Sequence, residues 1–156
     1  MKREKQGNAY WCIYKKEIGL AIGKHFTASG VWLMLTGIDT SYFFALAAGQ
    51  QAAVEAWESR ELLTSTLCLY ELQKKMLQGK LKNWPAILKD IEKAVEVIPV
   101  SSEIALAAGH IAHGTGIPAF DAIIISSFVI SECTEILTTD FHFSRFTKKG
   151  IKITLL

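Results

Sequence analysis

Leu35-Thr36-Gly37-Ile38-Asp39-Thr40-Ser41 decides the fold once it is set beside Leu137-Thr138-Thr139-Asp140-Phe141 near the other end of the chain. Each string is apolar up to an aspartate and rich in hydroxyls beside it. Short apolar runs of this kind suit the buried strands of a parallel sheet. Such a sheet delivers the carboxyl ends of its strands to a common edge, where open α/β folds bind ligands. Asp39 and Asp140 are therefore expected to meet at that edge, as the two ends of one metal site.

Working outward from Leu33–Ile38 as a first strand, the pattern alternates. Ser41 to Ala48 reads as a short helix ending at Gly49, and Ala52 to Arg60 carries Val54 and Trp57 at helical spacing. Leu62 to Ser65 reads as a second strand. Thr66 to Gln78 forms a helix through Leu69, Leu72, Met76 and Leu77, terminated at Gly79. Trp84-Pro85 opens another through Ile87, Leu88 and Ile91, since proline is tolerated in a first turn. The β-branched run Val95 to Val100 gives a third strand, and Ser101 caps a helix reaching His110. Gly114-Thr115-Gly116-Ile117-Pro118 breaks it before an apolar helix from Ala119 to Ile130. Glu135 to Thr138 is a fourth strand and Ile151 to Leu155 a fifth. Strands separated by helices predict an α/β fold, a central mainly parallel sheet with helices on both faces.

Composition sets the outer bounds. A chain of 156 residues, half hydrophobic and about a fifth charged, fits one globular domain with no need of disulfides or structural metal. The formal net charge is +2, divided unevenly: residues 1–33 carry +4, leaving −2 on the remainder. Bulk charge thus does not advertise polyanion binding, and any nucleic-acid contact rests on local basic clusters and bound cations. Cys12, Cys68 and Cys133 are odd in number and widely spaced, which favours a reduced, cytoplasmic compartment. No apolar run approaches the length of a membrane span or a signal core.

Residues 1–33 read differently from the rest, mixing Tyr10, Trp11 and Tyr14 with lysines and glycines without sustained periodicity. Two readings stand side by side: a leader upstream of a true start near Met34, or an added hairpin or helix. Intact mass of the protein expressed from its native locus separates them. Residues 34–156 form the second, compact region.

Two further acids belong to the argument. Asp121 falls in the first turn of the helix opened by Pro118, where a negative charge is favoured. Helix stabilisation accounts for that charge by itself. It does not account for Ala122-Ile123-Ile124-Ile125-Ser126-Ser127-Phe128, whose lack of charge puts Asp121 near the interior, in need of a partner or a cation. Glu71 follows the second strand among apolar neighbours, although Lys74 and Lys75 also offer it an ordinary surface ion pair. Carboxylates converging in a crevice repel one another unless divalent cations neutralise them. Oxygen ligands suit Mg²⁺ or Mn²⁺, and zinc is disfavoured because His110 and His113 stand without a Cys or His cluster. An acidic Mg²⁺ site suits phosphodiester hydrolysis, in which a metal lowers the pKa of the attacking water and offsets charge on the phosphate.

The ordered set Ile38-Asp39-Thr40-Ser41, Thr64-Ser65 with Tyr70-Glu71-Leu72, Asp121-Ala122-Ile123-Ile124, and Leu137 through Phe143 resembles the PIN-domain nucleases, most of all the toxin ribonucleases of VapBC-type toxin-antitoxin systems. The likeness covers residues 34–156. It implies a PIN-like three-layer fold, metal-dependent endoribonuclease activity and inhibition by a cognate antitoxin. Asp39, Glu71, Asp121 and Asp140 match the acidic quartet, taken as catalytic and metal-holding. Ser41 and Thr139 match hydroxyls that brace the first and last aspartates. His142 stands where many relatives have a further acid, which leaves either a secondary metal contact or a touch on RNA phosphate. Arg145, Lys148 and Lys149 follow closely as RNA contacts or, equally, as a solvated basic turn.

The expected function is a Mg²⁺- or Mn²⁺-dependent ribonuclease, the toxin of a toxin-antitoxin pair, with RNA as substrate, an antitoxin as partner and a homodimer as assembly. A housekeeping RNA-processing nuclease shares the chemistry, and a non-catalytic RNA- or protein-binding module is the alternative of another class. An antitoxin face would expose hydrophobics on the early helices, for which Tyr42, Phe43, Phe44 and Trp57 are candidates, with core packing as their other fate.

Overall fold

Alternation with a period of two sorts each strand onto two faces of a single sheet. The computed structural model describes residues 34–156. The expectations for residues 1–33, the leader question, Cys12 and the strand start at Leu33 among them, lie outside the described residues. Five strands, β1 (Leu35–Ile38), β2 (Glu61–Ser65), β3 (Glu96–Ile98), β4 (Glu135–Thr138) and β5 (Lys152–Leu155), pair in the order β3-β2-β1-β4-β5. All four pairings are parallel.

Helices α1 (Thr40–Ala47) and α2 (Gln51–Ser59) join β1 to β2, and α3 (Thr66–Leu77) and α4 (Ile87–Ala94) join β2 to β3. The return from the β3 edge runs through α5 (Ser102–Thr115) and α6 (Ala119–Ile130) to β4 on the far side of β1. That reversal makes the β1/β4 boundary the topological switch point, where ligand crevices open in such sheets. One face buries Ile38, Leu62 and Leu137 with Phe43, Leu72 and Ile91 of the helices. The other buries Leu35, Leu63 and Ile136 with Ile124, Ile125 and Phe128. The three-layer α/β arrangement read from the sequence is the one observed.

Differences fall at element ends and have local causes. Pro85 occupies a turn before α4: the Trp84 N–H donates to Leu81 O (2.9 Å) and the Ile87 N–H to Trp84 O (3.2 Å), so the helix opens at Ile87 instead of Trp84. β3 stops at Ile98 because Pro99 has no N–H to give the ladder. α5 continues past His110 through Gly114, and ends only where Gly116 adopts φ 69°. Tyr42, Phe43 and Trp57 are core residues, and Phe44 is partly buried against the same core and lines a cavity at the sheet edge, so these four do not form an exposed aromatic face. No helix among the described residues is long and apolar enough to cross a membrane.

The amino-terminal edge of the sheet holds one buried carboxylate, Glu135. It receives Arg60 and Thr154 side chains and lies 3.5 Å from Lys152 Nζ. Burial opposes its ionisation, yet these donors and cations together hold it below the ordinary glutamate value.

Candidate metal centre

The carboxyl-terminal edge is acidic. Asp39 directly follows β1 and caps α1, its Oδ1 accepting from the Tyr42 N–H (3.1 Å) and from Ser41 Oγ (2.8 Å). Its Oδ2 accepts from Thr138 Oγ1 (3.0 Å), the last residue of β4. The two hydroxyls lie 3.1 Å apart, each with its single hydrogen committed to Asp39. Their lone pairs then accept from the next backbone N–H groups along β4: Thr139 N–H to Ser41 Oγ (2.7 Å) and Asp140 N–H to Thr138 Oγ1 (2.9 Å). A hydroxyl pair thus stitches β1 to β4 and sets the position of both aspartates.

Asp140 opens a short 3₁₀ turn, Phe141–Arg145, and accepts the His142 N–H at Oδ1 (2.8 Å). The same turn brings His142 Nδ1 to 3.3 Å from Asp140 Oδ1 and 3.5 Å from Asp121 Oδ2. Ligand atoms of Asp121, Asp140 and His142 all lie within 4.8 Å of one another. Asp121 comes from the first turn of α6, and Glu71 from α3, where its Oε2 accepts from Thr40 Oγ1. Asp39, Glu71, Asp121 and Asp140 line a single cavity of about 580 Å³.

Electrostatics at this edge run opposite to those at Glu135. Burial pushes the Asp39 carboxyl up to about 6 against the pull of its hydrogen bonds from Ser41, Tyr42 and Thr138. Asp121 also rises to about 6, through burial first and then the charges of Asp140 and Glu71, with His142 opposing. Among the described residues no lysine or arginine pairs with any of the four. The donor set fits a hard divalent cation: carboxylate oxygens in excess, one imidazole, no thiolate, and acids without a paired lysine or arginine among the described residues.

All four sequence-predicted acids converge, then, and His142 joins them. Arg145 instead donates to Gly116 O (3.4 Å), while Lys148 and Lys149 line a separate groove beside β5. Three participants escaped the sequence reading. Thr138 supplies the hydroxyl that braces Asp39, whereas Thr139 contributes its N–H and leaves its side chain exposed. Thr138 is the last residue of β4, which is buried along its whole length, whereas Thr139 lies just beyond the strand. Thr40 braces Glu71, a contact with no signal in the sequence. Lys75 lines the cavity, and among the described residues neither it nor Lys74 pairs with Glu71.

The family model of the PIN domain matches residues 38–149, well over half of the chain, from the residue before Asp39 to beyond Asp140. The chain belongs to the PIN domain family. PIN domains are nucleases, which supports hydrolase activity for this chain. Solved structures agree on the PIN fold at low identity. A toxin-antitoxin complex from Klebsiella pneumoniae aligns at TM-score 0.61 and 19% identity over 74% of this chain and 94% of that one. VapBC2 from Rickettsia felis, solved bound to a DNA fragment from the promoter, aligns at 0.63 and 16% over 79% and 99%. VapBC-5 from Mycobacterium tuberculosis, a member of the VapBC family of toxin-antitoxin systems, aligns at 0.58 and 21% over 79% and 99%. No curated protein matches the chain.

Proposed function

We propose that this PIN domain is a Mg²⁺- or Mn²⁺-dependent endoribonuclease and the toxin of a cytoplasmic toxin-antitoxin pair. The carrying observation is the cavity at the β1/β4 switch point, where Asp39, Glu71, Asp121 and Asp140 meet and, among the described residues, none of them is paired with a lysine or arginine. In this reading Asp39, Asp121 and Asp140 hold the ion, Glu71 completes the pocket, and His142 supports Asp121 and Asp140. A bound divalent ion would acidify water and offset charge on the phosphate. The chain's own part is to hold its carboxylates in register: Ser41 and Thr138 orient Asp39, and Thr40 orients Glu71. No side-chain nucleophile is required.

The toxin assignment is supported by the structural neighbours, which are toxin-antitoxin proteins, and it carries with it an antitoxin partner and a homodimer. The region 34–156 is the nuclease domain in this proposal. Asp39→Asn and Asp121→Asn are each expected to abolish cleavage of single-stranded RNA in Mg²⁺ while leaving the circular dichroism spectrum unchanged, and EDTA should have the same effect on the wild type. Undiminished cleavage by either variant removes the mechanism. Copurification with the product of a neighbouring small reading frame tests the toxin assignment separately.

A further inference from the structure

Lys75 and Lys80 line the same cavity as the four carboxylates. One helix ending places them together. Gly79 adopts φ 78°, its N–H donates to Met76 O (2.9 Å), and the Lys80 N–H folds back to Lys75 O (3.0 Å). This is the left-handed helix termination in which the residue after the glycine returns to the last turn. Lys75 also follows Glu71 by four residues, which puts both on one face of α3. Among the described residues neither lysine forms an ion pair with a carboxylate.

Ammonium groups beside a cation site oppose the cation, so these two do not serve metal binding. Interaction with the negative end of α3 explains a lysine in the last turn, and Lys74 meets that need equally from outside the cavity. What requires positive charge inside the cavity is an anion that enters with the metal. Lysine suits a backbone phosphate: a flexible point charge that positions a strand without reading its bases.

We propose that Lys75 and Lys80 form a phosphate subsite that binds the non-bridging oxygens of an RNA backbone phosphate next to the one cleaved. The subsite rests on the ribonuclease reading and adds to it a path for the strand: past the C-terminal end of α3, then over the acids.

Binding of a fluorescein-labelled single-stranded RNA is followed by anisotropy between about 50 and 200 mM salt, with Ca²⁺ in place of Mg²⁺ to hold the strand without turnover and with the RNA checked for integrity on a gel. Each lysine that no longer neutralises a phosphate lowers the slope of log K against log salt by about 0.7 on a single strand. Lys75→Gln with Lys80→Gln should therefore lower the slope by about 1.4 and weaken binding, Lys75→Arg should keep the wild-type slope, and so should Lys74→Gln. Mg²⁺ affinity, titrated without RNA, should hold or tighten in the double variant. An unchanged slope in the double variant overturns the subsite alone, as does a Lys74→Gln effect equal to that of Lys75→Gln, or a parallel loss of Mg²⁺ binding. Wild-type protein that binds no RNA overturns the ribonuclease reading with it.

Discussion

Asp39 and Glu135 are both carboxylates with almost no exposed surface, and the chain treats them oppositely. Glu135 has Arg60 and Lys152; among the described residues Asp39 has only hydroxyl and amide donors. A carboxyl raised from 3.8 to about 6 on folding holds its proton more tightly in the native state. Its contribution to stability is complete below about pH 4 and lost as pH rises through about 6, a change of up to about 3 kcal/mol. In EDTA, the unfolding free energy of Asp39→Asn relative to wild type should therefore climb by up to that amount from pH 4 to pH 7, measured by urea titration. A flat difference would mean that Asp39 ionises freely. Ser41 and Thr138 should act through Asp39: Ser41→Ala or Thr138→Val is expected to lower cleavage or Mg²⁺ affinity about 10- to 100-fold, the usual cost of removing a partner that orients a ligand. Asp39, Asp121 and Asp140 were legible in the sequence because each sits where an apolar run ends or a helix begins, whereas Glu71, in the middle of α3, was matched through the family resemblance. Thr40 and Thr138 were less legible, since hydrogen bonds across 31 and 99 positions leave no trace in local pattern.

Among the elements, α6 explains its own composition. Apolar on nearly every side, it is wedged between the sheet and α5, with Ile124, Ile125, Ser126, Ser127 and Phe128 all buried. It packs tightly at Gly37, where an added Cβ would meet Phe128 ring carbons at 2.6–2.9 Å. Gly37→Ala should thus destabilise the protein by about 1–3 kcal/mol through overpacking. Phe128→Leu in the same chain should recover part of that loss, a non-additivity readable in urea titrations of the single and double variants. Element type was readable wherever an apolar run or period was long enough. Boundaries failed where a proline or glycine had two uses: Pro85 serves a turn instead of a first helical turn, and Gly114 passes through α5 without ending it.

At the scale of the whole molecule, chain order and spatial order part company. Strand order β3-β2-β1-β4-β5 brings together acids that follow β1, lie in α3, open α6 and follow β4. A cation binding all of them ties the molecule together, so folding and metal affinity are linked. At pH 7.5, Mg²⁺ at 100 times its Kd should stabilise the protein by about 2.7 kcal/mol. Differential scanning calorimetry should show that gain disappear at pH 4.5, where protons compete for Asp39 and Asp121. A gain independent of pH would place the ion elsewhere.

The ring of Phe128 seated against Gly37 also constrains heredity. The segment delivering Asp121 and the one delivering Asp39 meet as notch and peg, so drift at either position is trapped until the other gives way. A selection for second-site revertants of Gly37→Val should accordingly return shortened side chains at position 128 before changes anywhere near the acids.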